Sequence, residues 1–595
     1  MSAEIKVSDY IADQLFRSGC DVIFGVSGGA SLHLLDSIQR HPSLKLITVH
    51  HEQTVAMAAE AYSRITGNIG VGIVTSGPGA TNLVTGVAGA FYDSVRCLFI
   101  TGQVSTFRKS TGLGVRQYGF QETPTADIFE HICKFVKSVG SSREVPTVMA
   151  EAVLAASAMR QGPVVIDIPD DIQRQFIEDD FCDSNRSVDF HHRYIDKNTT
   201  LAKDIIESLK CFLKDSLRPV VICGSGIAMS RCDEEFLKVL DFLEIPVALT
   251  WGSKSLVPSN RQYLLGTFGT HGSRIANHVI QQADLIISFG SRLDTKATGS
   301  PPDTFAPLAK KIMFDIDSNE FRKFNNKGLL IDQFFKIDFK DSEFKTVMKI
   351  MLKLELERGH WRNWQKYCQG ILNFSETIDF SSKGIDPYVF VRELSNRAPN
   401  QCRVIIDTGC TIAWTMQAWS VSSGQSLFHD FNNTAMGWSI PATLASVLVL
   451  DDVPTICLVG DGSLMMSIGD LATITSQPKP SLIFLLNNSG YSMIKQTQEQ
   501  WFESRYFASD TGTGIHFPDF KKLAESFGFT YYQIGDNEDL ARVLSDKSIF
   551  GSHTFVEVMI NPEARVIPQN RFGQPIDVME PENKLLPYRN QTQDK

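Results

Sequence analysis

The chain has 595 residues, of which 43% are hydrophobic and 21% charged, so it is too long for one hydrophobic core and should form two to four domains. Its 57 basic and 67 acidic side chains leave a net charge of −10, which argues against nucleic acid as a partner because a phosphate backbone requires a basic surface. No apolar run approaches the roughly 20 residues that span a bilayer, the first residues lack the apolar core of a signal peptide, and the 11 cysteines form no CxxC pair. We therefore expect a soluble cytoplasmic protein with reduced thiols and no membrane partner.

The first part of the chain alternates strands with helices. Near-continuous apolar runs rich in Val and Ile predict strands over 21–26, 44–50, 71–77, 96–102 and 162–169. Between them the pattern predicts a helix over 52–64, with Val55, Ala59 and Tyr62 on one face. Strands that are apolar on both faces and alternate with helices indicate a parallel sheet covered on both sides.

Two further units of the same kind follow. A polar stretch over 178–200 is typical of a linker. Strands of the second unit are predicted over 218–227, 245–252, 283–292 and 310–317. After a charged segment with little strand character around 340–385, strands of the third unit are predicted over 402–409, 454–462, 481–488 and 554–560. The sequence thus predicts an α/β fold of three doubly wound parallel-sheet domains, followed by a tail that wraps the surface or is partly disordered; the predicted boundaries are 1–180, 195–350, 385–565 and 566–595.

Two polar clusters follow neighbouring strands of the third unit. Asp461 and Asn488 come directly after these strands, 27 residues apart, and a strand–helix–strand crossover of that length makes the two tips neighbours. A carboxylate and a carboxamide oxygen are hard ligands suited to Mg²⁺, while Gly462 and the helix after Ser463 suit a phosphate. The alternative is that both clusters are ordinary turns.

Two strand ends of the first unit are also informative. Glu52 lies at a strand-to-helix junction, where the helix dipole favours a carboxylate. In the stretch TSGPGATN, Gly77, Pro78 and Gly79 precede a helix that contains Asn82. Taken alone, the first is an ordinary acidic residue of a first helical turn and the second a tight turn into a helix.

Together these stretches resemble the thiamine-diphosphate (ThDP) enzymes, in their acetolactate synthase (acetohydroxyacid synthase) branch. The resembling motifs occur in family order over roughly residues 8–500: FGVSGGAS, HHEQTVAMAAEAYSR, VTSGPGATNLVTG, FITGQV, FQE, GPVVIDIP, GTFGTHGS, FGSRLDTKATG, TAMGWSIPA and GDGS…LLNNSGYSMIKQ. The resemblance implies that the first domain binds the pyrimidine of ThDP, that the central domain is Rossmann-like, and that the third binds the diphosphate.

The resemblance also implies roles for individual residues. Asp461, Asn488 and the carbonyl of Gly490 would hold Mg²⁺, and Glu52 would hydrogen-bond the aminopyrimidine so that the cofactor can activate its own thiazolium carbon. Met436 would force the cofactor into its bent shape, while Phe120 and Gln121 would lie near the reacting carbons. The further ThDP-binding residues would be Ser27, Gly28, Gly29, Pro78, Asn82, Thr408, Gly409, Gly437, Gly462, Ser463, Tyr491 and Met493. Because Glu52 and Asp461 come from different subunits in this family, a homodimer is the minimum active unit, and homotetramers are common.

The central domain resembles the flavin-carrying version found in the synthases. Its strand ends provide the positions that would hold FAD, namely Gly224, Gly226, Gly269, His271, Gly290, Arg292, Asp315 and Ile316. The alternative is a Rossmann-like domain that has lost its flavin, as in simple decarboxylases.

Three positions depart from the synthase pattern, and all concern the acceptor substrate. Asp170 stands where the synthases have Lys in DIPKD, Lys296 where they have Arg in FDDRVTG, and Thr497 where they have Trp in MxxQW. The changes remove a bidentate carboxylate-binding fork and a large aromatic wall and add a negative charge, which predicts a roomier, more polar and less cationic pocket. We therefore expect a 2-oxo acid donor such as pyruvate, and an acceptor other than a second small 2-oxo acid, such as a keto sugar, free or nucleotide-linked.

Other functions remain open at this point. One is a true acetolactate synthase with a divergent pocket. A second is a simple 2-oxo acid decarboxylase, although His50 and His51 directly precede Glu52 rather than following the glycine-rich loop as in decarboxylases. A catalytically silent binding protein is disfavoured because Glu52 and Asp461 are both present.

Overall fold

The computed structural model describes residues 4–178, 199–230, 232–325, 327–338, 342–357, 359–374, 376 and 379–588. Most of the predicted linker, residues 179–198, lies outside the described part, as does the end of the tail, 589–595.

Six parallel strands form the N-terminal sheet, in the order β3-β2-β4-β5-β7-β6. Together with an antiparallel pair, β1 and β8, the strands of this region are β1 (Glu4–Lys6), β2 (Val22–Gly25), β3 (Lys45–Thr48), β4 (Gly70–Val74), β5 (Cys97–Gln103), β6 (Phe135–Ser138), β7 (Pro163–Pro169) and β8 (Phe176–Glu178). The helices that cover the sheet are α1 (Val7–Arg17), α2 (Leu32–Arg40), α3 (Glu52–Thr66), α4 (Pro78–Asn82), α5 (Val84–Tyr92), α6 (Thr125–Phe129), α7 (Val145–Ser157) and α8 (Asp170–Gln173).

The central sheet is also parallel and six-stranded, in the order β11-β10-β9-β12-β13-β14. Its strands are β9 (Pro219–Cys223), β10 (Val247–Leu249), β11 (Leu264–Thr267), β12 (Leu285–Phe289), β13 (Lys310–Asp315) and β14 (Gln333–Lys336). The helices are α9 (Thr199–Asp215), α10 (Ser225–Ser230), α11 (Asp233–Leu243), α12 (Arg274–Gln282), α13 (Thr295–Thr298), α14 (Ser318–Arg322), α15 (Ser342–Met351) and α16 (Arg362–Ile371). The last two occupy the charged segment that lacks strand character.

The C-terminal sheet repeats the architecture in the order β16-β15-β17-β18-β20-β19. Its strands are β15 (Cys402–Ile406), β16 (Gln425–Phe428), β17 (Thr455–Gly460), β18 (Leu482–Asn487), β19 (Thr530–Ile534) and β20 (Thr554–Met559). The helices are α17 (Pro387–Arg397), α18 (Cys410–Ala418), α19 (Ser439–Val447), α20 (Asp461–Leu464), α21 (Leu471–Thr475), α22 (Ser492–Trp501), α23 (Phe520–Ser526) and α24 (Asn537–Ser545). The predicted fold class, three parallel-sheet α/β domains, is confirmed, whereas the exact domain boundaries stay predictions.

The N-terminal and C-terminal domains share one apolar core. Helix α3 is buried at every position from Thr54 to Ser63, because α5 packs on one side and α19 on another. Val55, Ala59 and Tyr62, which the sequence places on one face, are buried, and a second domain covers the side of the helix that a lone domain would leave to solvent.

The tail lies across the central domain. Its strands β21 (Gln569–Asn570) and β22 (Met579–Glu580) pair antiparallel, and Ile576 between them is fully buried. Asn277 of α12 donates from Nδ2 to the Ile576 carbonyl at 2.8 Å. The tail thus packs as an ordered strap as far as residue 588. Among all described helices, none is both long and apolar enough to cross a bilayer.

Candidate active site

The carboxylate of Glu52 is held at the start of a helix. Glu52 is the first residue of α3, where the unpaired N–H groups favour negative charge, and His51 caps the helix by accepting from the Gln53 N–H at 3.1 Å. Asn82, at the end of α4, donates from Nδ2 to Glu52 Oε2 at 2.9 Å. A Cβ added at Gly79 would lie 3.6 Å from Glu52 Oε1. The predicted residues Glu52 and Asn82 and the Gly-Pro-Gly turn therefore lie together.

Two loops converge on this carboxylate because β2 and β4 are neighbours. Thr75 joins them: its Oγ1 accepts from the Ala30 N–H at 3.2 Å, and a Cβ at Gly28 would lie only 2.4 Å from the Thr75 Cβ. Gly28 is thus required by close packing, while Gly29 has open space around it. Ser27 is exposed and also lines a cavity of about 310 Å³ whose walls include neither Glu52 nor Asp461.

Gln121 stands over the Gly-Pro-Gly turn. A Cβ at Gly77 would lie 3.0 Å from the Gln121 Cβ, and Gly77 has a φ of 62°. Gln121 itself has a φ of 63°, a left-handed conformation that is rare for a residue with a side chain and is enriched at functional sites. The preceding Phe120 is 85% exposed.

Asp461 forms the centre of the second set of predicted residues. Its Oδ1 accepts from the Gly462 N–H at 2.7 Å, and its Oδ2 accepts from the N–H groups of Asn488 at 3.2 Å and Gly490 at 3.1 Å. These contacts arise because β17 and β18 are adjacent, as the 27-residue crossover predicts. Burial raises the pKa of the Asp461 carboxyl to about 7, a cost that a nearby cation would remove.

Asn488 carries an oxygen that the described part of the chain leaves unsatisfied. Its Nδ2 donates to Ser492 Oγ at 2.8 Å, but its buried Oδ1 has no hydrogen-bond partner. An orphaned buried acceptor is rare and calls for an explanation. Beside the Asp461 carboxylate, it gives the oxygen donor set that Mg²⁺ prefers. The described residues contain no cluster of three His, Cys, Asp or Glu side chains that could hold a metal instead.

The other residues predicted to bind the diphosphate surround this pair. The Tyr491 ring covers Gly462, where an added Cβ would lie 1.9 Å from Tyr491 Cε1. Gly437, next to the half-buried Met436, has a φ of 81° and approaches Ser467 closely. Thr408 and Gly409 directly precede α18, and the space beside Gly409 is open. The half-buried Met493 packs near the second apolar core, and Ser463 is buried in α20.

Two functional candidates escape the motif-based analysis. Asp407 is fully buried; its carboxylate accepts from the N–H groups of Thr408, Gly437 and Ser439 at 2.9, 3.1 and 2.9 Å, so it joins two cofactor-binding loops. The signal available in the sequence is an acid directly after a predicted strand. Asp470 accepts from the His50 N–H at 3.0 Å and so holds the C-terminal domain beside Glu52, but no local pattern marks it.

The residues predicted to bind flavin lie at the carboxyl ends of the central strands. Gly224 and Gly290 pack backbone to backbone, since a Cβ at Gly224 would lie 2.1 Å from the Gly290 carbonyl oxygen, and the Gly226 N–H donates to the same oxygen at 3.0 Å. Gly269 has a φ of 104°. Asp315 ends β13 and Ile316 directly follows it. Burial raises the pKa of Asp315 to about 6.

His271 and Arg292 complete this set. The Nδ1 of His271 is buried without a partner among the described residues, and desolvation lowers the His271 pKa to about 4, so the ring is neutral and available to a ligand. Arg292 Nη2 donates to Asn432 Oδ1 at 2.6 Å, which joins the central domain to the C-terminal one.

The three predicted acceptor residues lie in three different domains. Lys296 Nζ lies 3.6 Å from the centre of the Trp251 ring, and burial lowers the Lys296 pKa to about 8. Asp170 accepts a hydrogen bond from Ser105, and the exposed Thr497 donates to the Met493 carbonyl at 3.0 Å. No contact between described residues of one chain brings the three together, so their union in one pocket stays a prediction.

Comparison with known proteins agrees with this arrangement. Three family models match, described as "Thiamine pyrophosphate enzyme, N-terminal TPP binding domain" over residues 5–130, "central domain" over 206–331 and "C-terminal TPP binding domain" over 407–558; thiamine pyrophosphate is ThDP. The chain is 31% identical over 524 residues to "Acetolactate synthase isozyme 2 large subunit" of Escherichia coli K12, covering 88% of this chain and 89% of that one.

Two further relatives are similar to the same extent. "Acetolactate synthase large subunit" of Parasynechococcus marenigrum WH8102 is 32% identical over 569 residues, 92% of this chain and 86% of the relative. The protein of the same description from Cyanidium caldarium is 33% identical over 542 residues, 89% of each chain. With three domain models in order and near full-length relatives, the chain belongs to the thiamine pyrophosphate enzymes and is an acetolactate synthase-like member of that family.

Proposed function

We propose that the protein decarboxylates a 2-oxo acid, most simply pyruvate, and transfers the remaining two-carbon unit to a carbonyl acceptor with formation of a C–C bond. This proposal depends on two groups of residues, which we call half-sites. In the first, Asn82 fixes the carboxylate of Glu52 at a helix start. In the second, the buried carboxylate of Asp461 lies beside the Asn488 amide oxygen, which has no partner among the described residues.

Asp461, the Oδ1 of Asn488 and the carbonyl of Gly490 would hold Mg²⁺, since hard oxygen ligands suit that ion. ThDP, when bound, supplies a nucleophilic carbon and an electron sink. Glu52 would form a hydrogen bond with the aminopyrimidine of the cofactor, and Asn82 keeps the Glu52 carboxylate oriented for that bond. Gln121 would contact the substrate, which is supported by its position against the Gly-Pro-Gly turn that borders Glu52.

A homodimer would be the minimum active unit, and a homotetramer is compatible with the same sites. Supporting this, the loop that leads into Gln121 exposes several large apolar side chains, namely Phe107, Leu113, Val115, Tyr118 and Phe120. Exposed apolar surface of this extent is typical of an interface. A second subunit covering this loop would bring its own Asp461 half-site to Glu52.

We propose an acceptor other than a small 2-oxo acid, such as a keto sugar, free or nucleotide-linked. Lys296 is engaged with the Trp251 ring and its pKa is lowered, which makes it a poorer carboxylate anchor than an arginine fork. Thr497 leaves the helix surface open where a Trp would fill it. Asp170 would repel an anionic acceptor.

FAD is proposed for the central domain. The His271 Nδ1, which has no hydrogen-bond partner among the described residues, and the glycine-lined strand ends support a ligand there. A cytoplasmic location is proposed as well, since the described cysteines form no disulfide bond with one another, which suits a reducing compartment.

The test is incubation of the purified protein with carboxyl-labelled pyruvate, with and without ThDP and Mg²⁺. We expect release of labelled CO₂ that requires both and is abolished by a chelator. Products with a panel of oxo acids, aldehydes and keto sugars would then identify the acceptor, and absorbance near 450 nm in the purified protein would identify a flavin.

The competing function is acetolactate synthase itself, which the names of the relatives favour. Efficient conversion of pyruvate alone to 2-acetolactate would establish it and would reject the proposed acceptor class while leaving the cofactor assignment intact. Release of free acetaldehyde alone would instead indicate a simple decarboxylase.

A further inference from the structure

An exposed aromatic surface continues the helix that carries the predicted acceptor residue. On α22, Ile494, Thr497 and Trp501 are all exposed, and their spacing of three and four residues puts them on one face. Trp501 is 56% exposed. It is therefore a large indole lying one turn beyond Thr497, on the side of the helix that faces away from the core.

The tail supplies a second ring. Phe572, at the turn between β21 and β22, is 70% exposed, and its ring centre lies 5.0 Å from that of Trp501 with the planes 73° apart. The Asn570 N–H donates to the Thr270 carbonyl at 2.7 Å, which ties this turn to the loop that carries His271. The tail thus holds Phe572 in place between the central domain and α22.

The loop after α22 adds a cation, Arg505, that contacts aromatic rings rather than a described carboxylate. The Arg505 guanidinium carbon lies 6.0 Å and 5.9 Å from the ring centres of Phe502 and Phe507, which contact each other edge to face. No described carboxylate lies within ion-pair distance of Arg505. The neighbouring cations differ, as Lys495, Arg565 and Arg571 pair with Asp510, Glu499 and Glu580.

The backbone of this loop is unusual. Glu503, Ser504 and Ala508 have φ values of 51°, 62° and 50°, a left-handed conformation that residues with side chains hold only when their surroundings enforce it. These residues flank Arg505 on both sides, so the loop presents the guanidinium in a defined position.

We propose that Trp501, Phe572 and Arg505 bind the nucleotide part of a nucleotide-linked acceptor, an inference that rests on the proposed function. The base stacks on the exposed indole and phenyl rings, since aromatic faces bind any nucleobase by stacking. Arg505 pairs with a phosphate, for which a free guanidinium is suited. The sugar then extends along α22 toward Thr497, where the acceptor carbonyl is required.

Tryptophan fluorescence provides a direct test because the other six tryptophans are buried. Holoenzyme saturated with ThDP and Mg²⁺ is titrated with CDP, UDP, ADP and GDP. We expect at least one of them to quench the emission saturably, whereas inorganic pyrophosphate and ribose 5-phosphate leave it unchanged. The same nucleotide should protect Trp501 from quenching by acrylamide.

Variants assign the contacts, with affinity measured by calorimetry. Trp501→Ala and Phe572→Ala should each weaken nucleotide binding about 5- to 100-fold, the range expected for loss of one stacked base, while Trp501→Phe should retain most of it. Arg505→Ala should weaken binding of the nucleotide but not of the nucleoside. Arg542→Ala, at an exposed arginine of α24, is the matched control and should leave the affinity unchanged.

Absence of quenching and of binding heat with every nucleotide would overturn the inference, and so would nucleotide binding that survives the loss of both rings. A third contrary result is that the wild type binds no nucleotide while Trp501→Ala and Phe572→Ala dissociate the oligomer. That result would identify the surface as an interface between copies of the chain. Labelled CO₂ release by the same wild-type sample separates these outcomes from failure of the proposed function, since the donor step requires no nucleotide.

Discussion

Single side chains at strand ends carry the chemistry of this site. Glu52 is oriented by the Asn82 amide and lies at the start of α3. Asn488 presents an unsatisfied oxygen next to Asp461. The arrangement at Asn488 is costly in the absence of a ligand, because a buried polar atom without a partner loses its hydration.

The first prediction concerns Glu52. In Glu52→Gln the side chain keeps its size but loses its negative charge, so we expect ThDP-dependent CO₂ release from pyruvate to fall by about 10² to 10⁴-fold, the usual range for a lost acid–base contribution. ThDP binding, measured by calorimetry in the presence of Mg²⁺, should change little, because the diphosphate half-site is untouched. Retention of full activity would contradict the role given to Glu52.

Much of the residue-scale site is predictable from the sequence, and the reason is topological. Parallel strands end at one edge of a sheet, so a polar residue directly after a buried strand falls at the site whatever the rest of the fold does. Asp461 and Asn488 meet for this reason. Asp470 could not be predicted, since it contacts His50 from a position 420 residues away and its local sequence carries no sign of that contact.

At the level of elements, the strands that the apolar pattern misses share one property. In the three six-stranded sheets the pattern misses β6, β11, β14, β16 and β19, and each lies at the edge of its sheet; among the edge strands of these sheets, β3 alone is predicted, by the apolar run over 44–50. An edge strand is half exposed, as the burial of β19 illustrates, so it lacks the continuous apolar run of a central strand. The pattern therefore favours strands that are buried on both faces over partly exposed ones, with β3 as the exception.

The second prediction concerns the contact between α3 and α5. A Cβ at Gly86 would lie 2.5 Å from the Ala56 Cβ and 2.9 Å from the Met57 N, so Gly86→Ala should force the helices apart. We expect a loss of about 1–3 kcal/mol of stability, seen as a lower thermal midpoint. CO₂ release should also fall, because Glu52 is the first residue of α3 and its partner Asn82 ends α4, which directly precedes α5.

A matched glycine provides the control for Gly86. Gly370 lies within α16 with open space around it. Gly370→Ala should leave the thermal midpoint unchanged or raise it, because alanine is the better helix former. Equal effects of the two substitutions would mean that close packing is not what Gly86 provides.

At the scale of the whole molecule, a buried ionic cluster joins the N-terminal and C-terminal domains. Arg64 pairs with both Glu60 and Asp93, and Trp438 Nε1 donates to Glu60 Oε2 at 2.9 Å. Burial raises the pKa of Glu60 to about 7 and that of Asp430 to about 6. The carboxylates are buried, and the single guanidinium of Arg64 pairs with only two of them, those of Glu60 and Asp93, so the cluster favours an additional proton.

The third prediction follows from the sign of these shifts. The folded state binds a proton on Glu60 more tightly than the unfolded state does. The stabilisation of the folded state by this proton is therefore complete below pH 4.5 and is lost as the pH rises through about 7. The thermal midpoint should fall over this window, by the equivalent of up to about 3 kcal/mol. Glu60→Gln should flatten the profile, whereas Glu151→Gln, at an exposed position, should not. A midpoint that rises over this window would show that Glu60 stays ionised.

The fourth prediction concerns assembly. If each site combines Glu52 of one subunit with Asp461 of another, the inactive variants Glu52→Gln and Asp461→Asn should complement each other when coexpressed. Random dimers would contain about half hybrids, each with one intact site of two, so about a quarter of the wild-type CO₂ release should return. Each variant alone should remain inactive. No recovery in isolated hybrid dimers would place both half-sites in one subunit.

The sequence alone determined three parallel sheets and the strand ends at which ligands bind, because apolar runs and the turns that follow them are local features that depend on covered sheet faces. Only the tertiary structure decided how the domains meet. Packing between segments that are distant in the chain produces the cluster around Arg64 and the contact of Asp470 with His50. The same packing leaves the Asn488 Oδ1 without a hydrogen bond among the described residues. Such contacts leave no periodic pattern in the residues that form them.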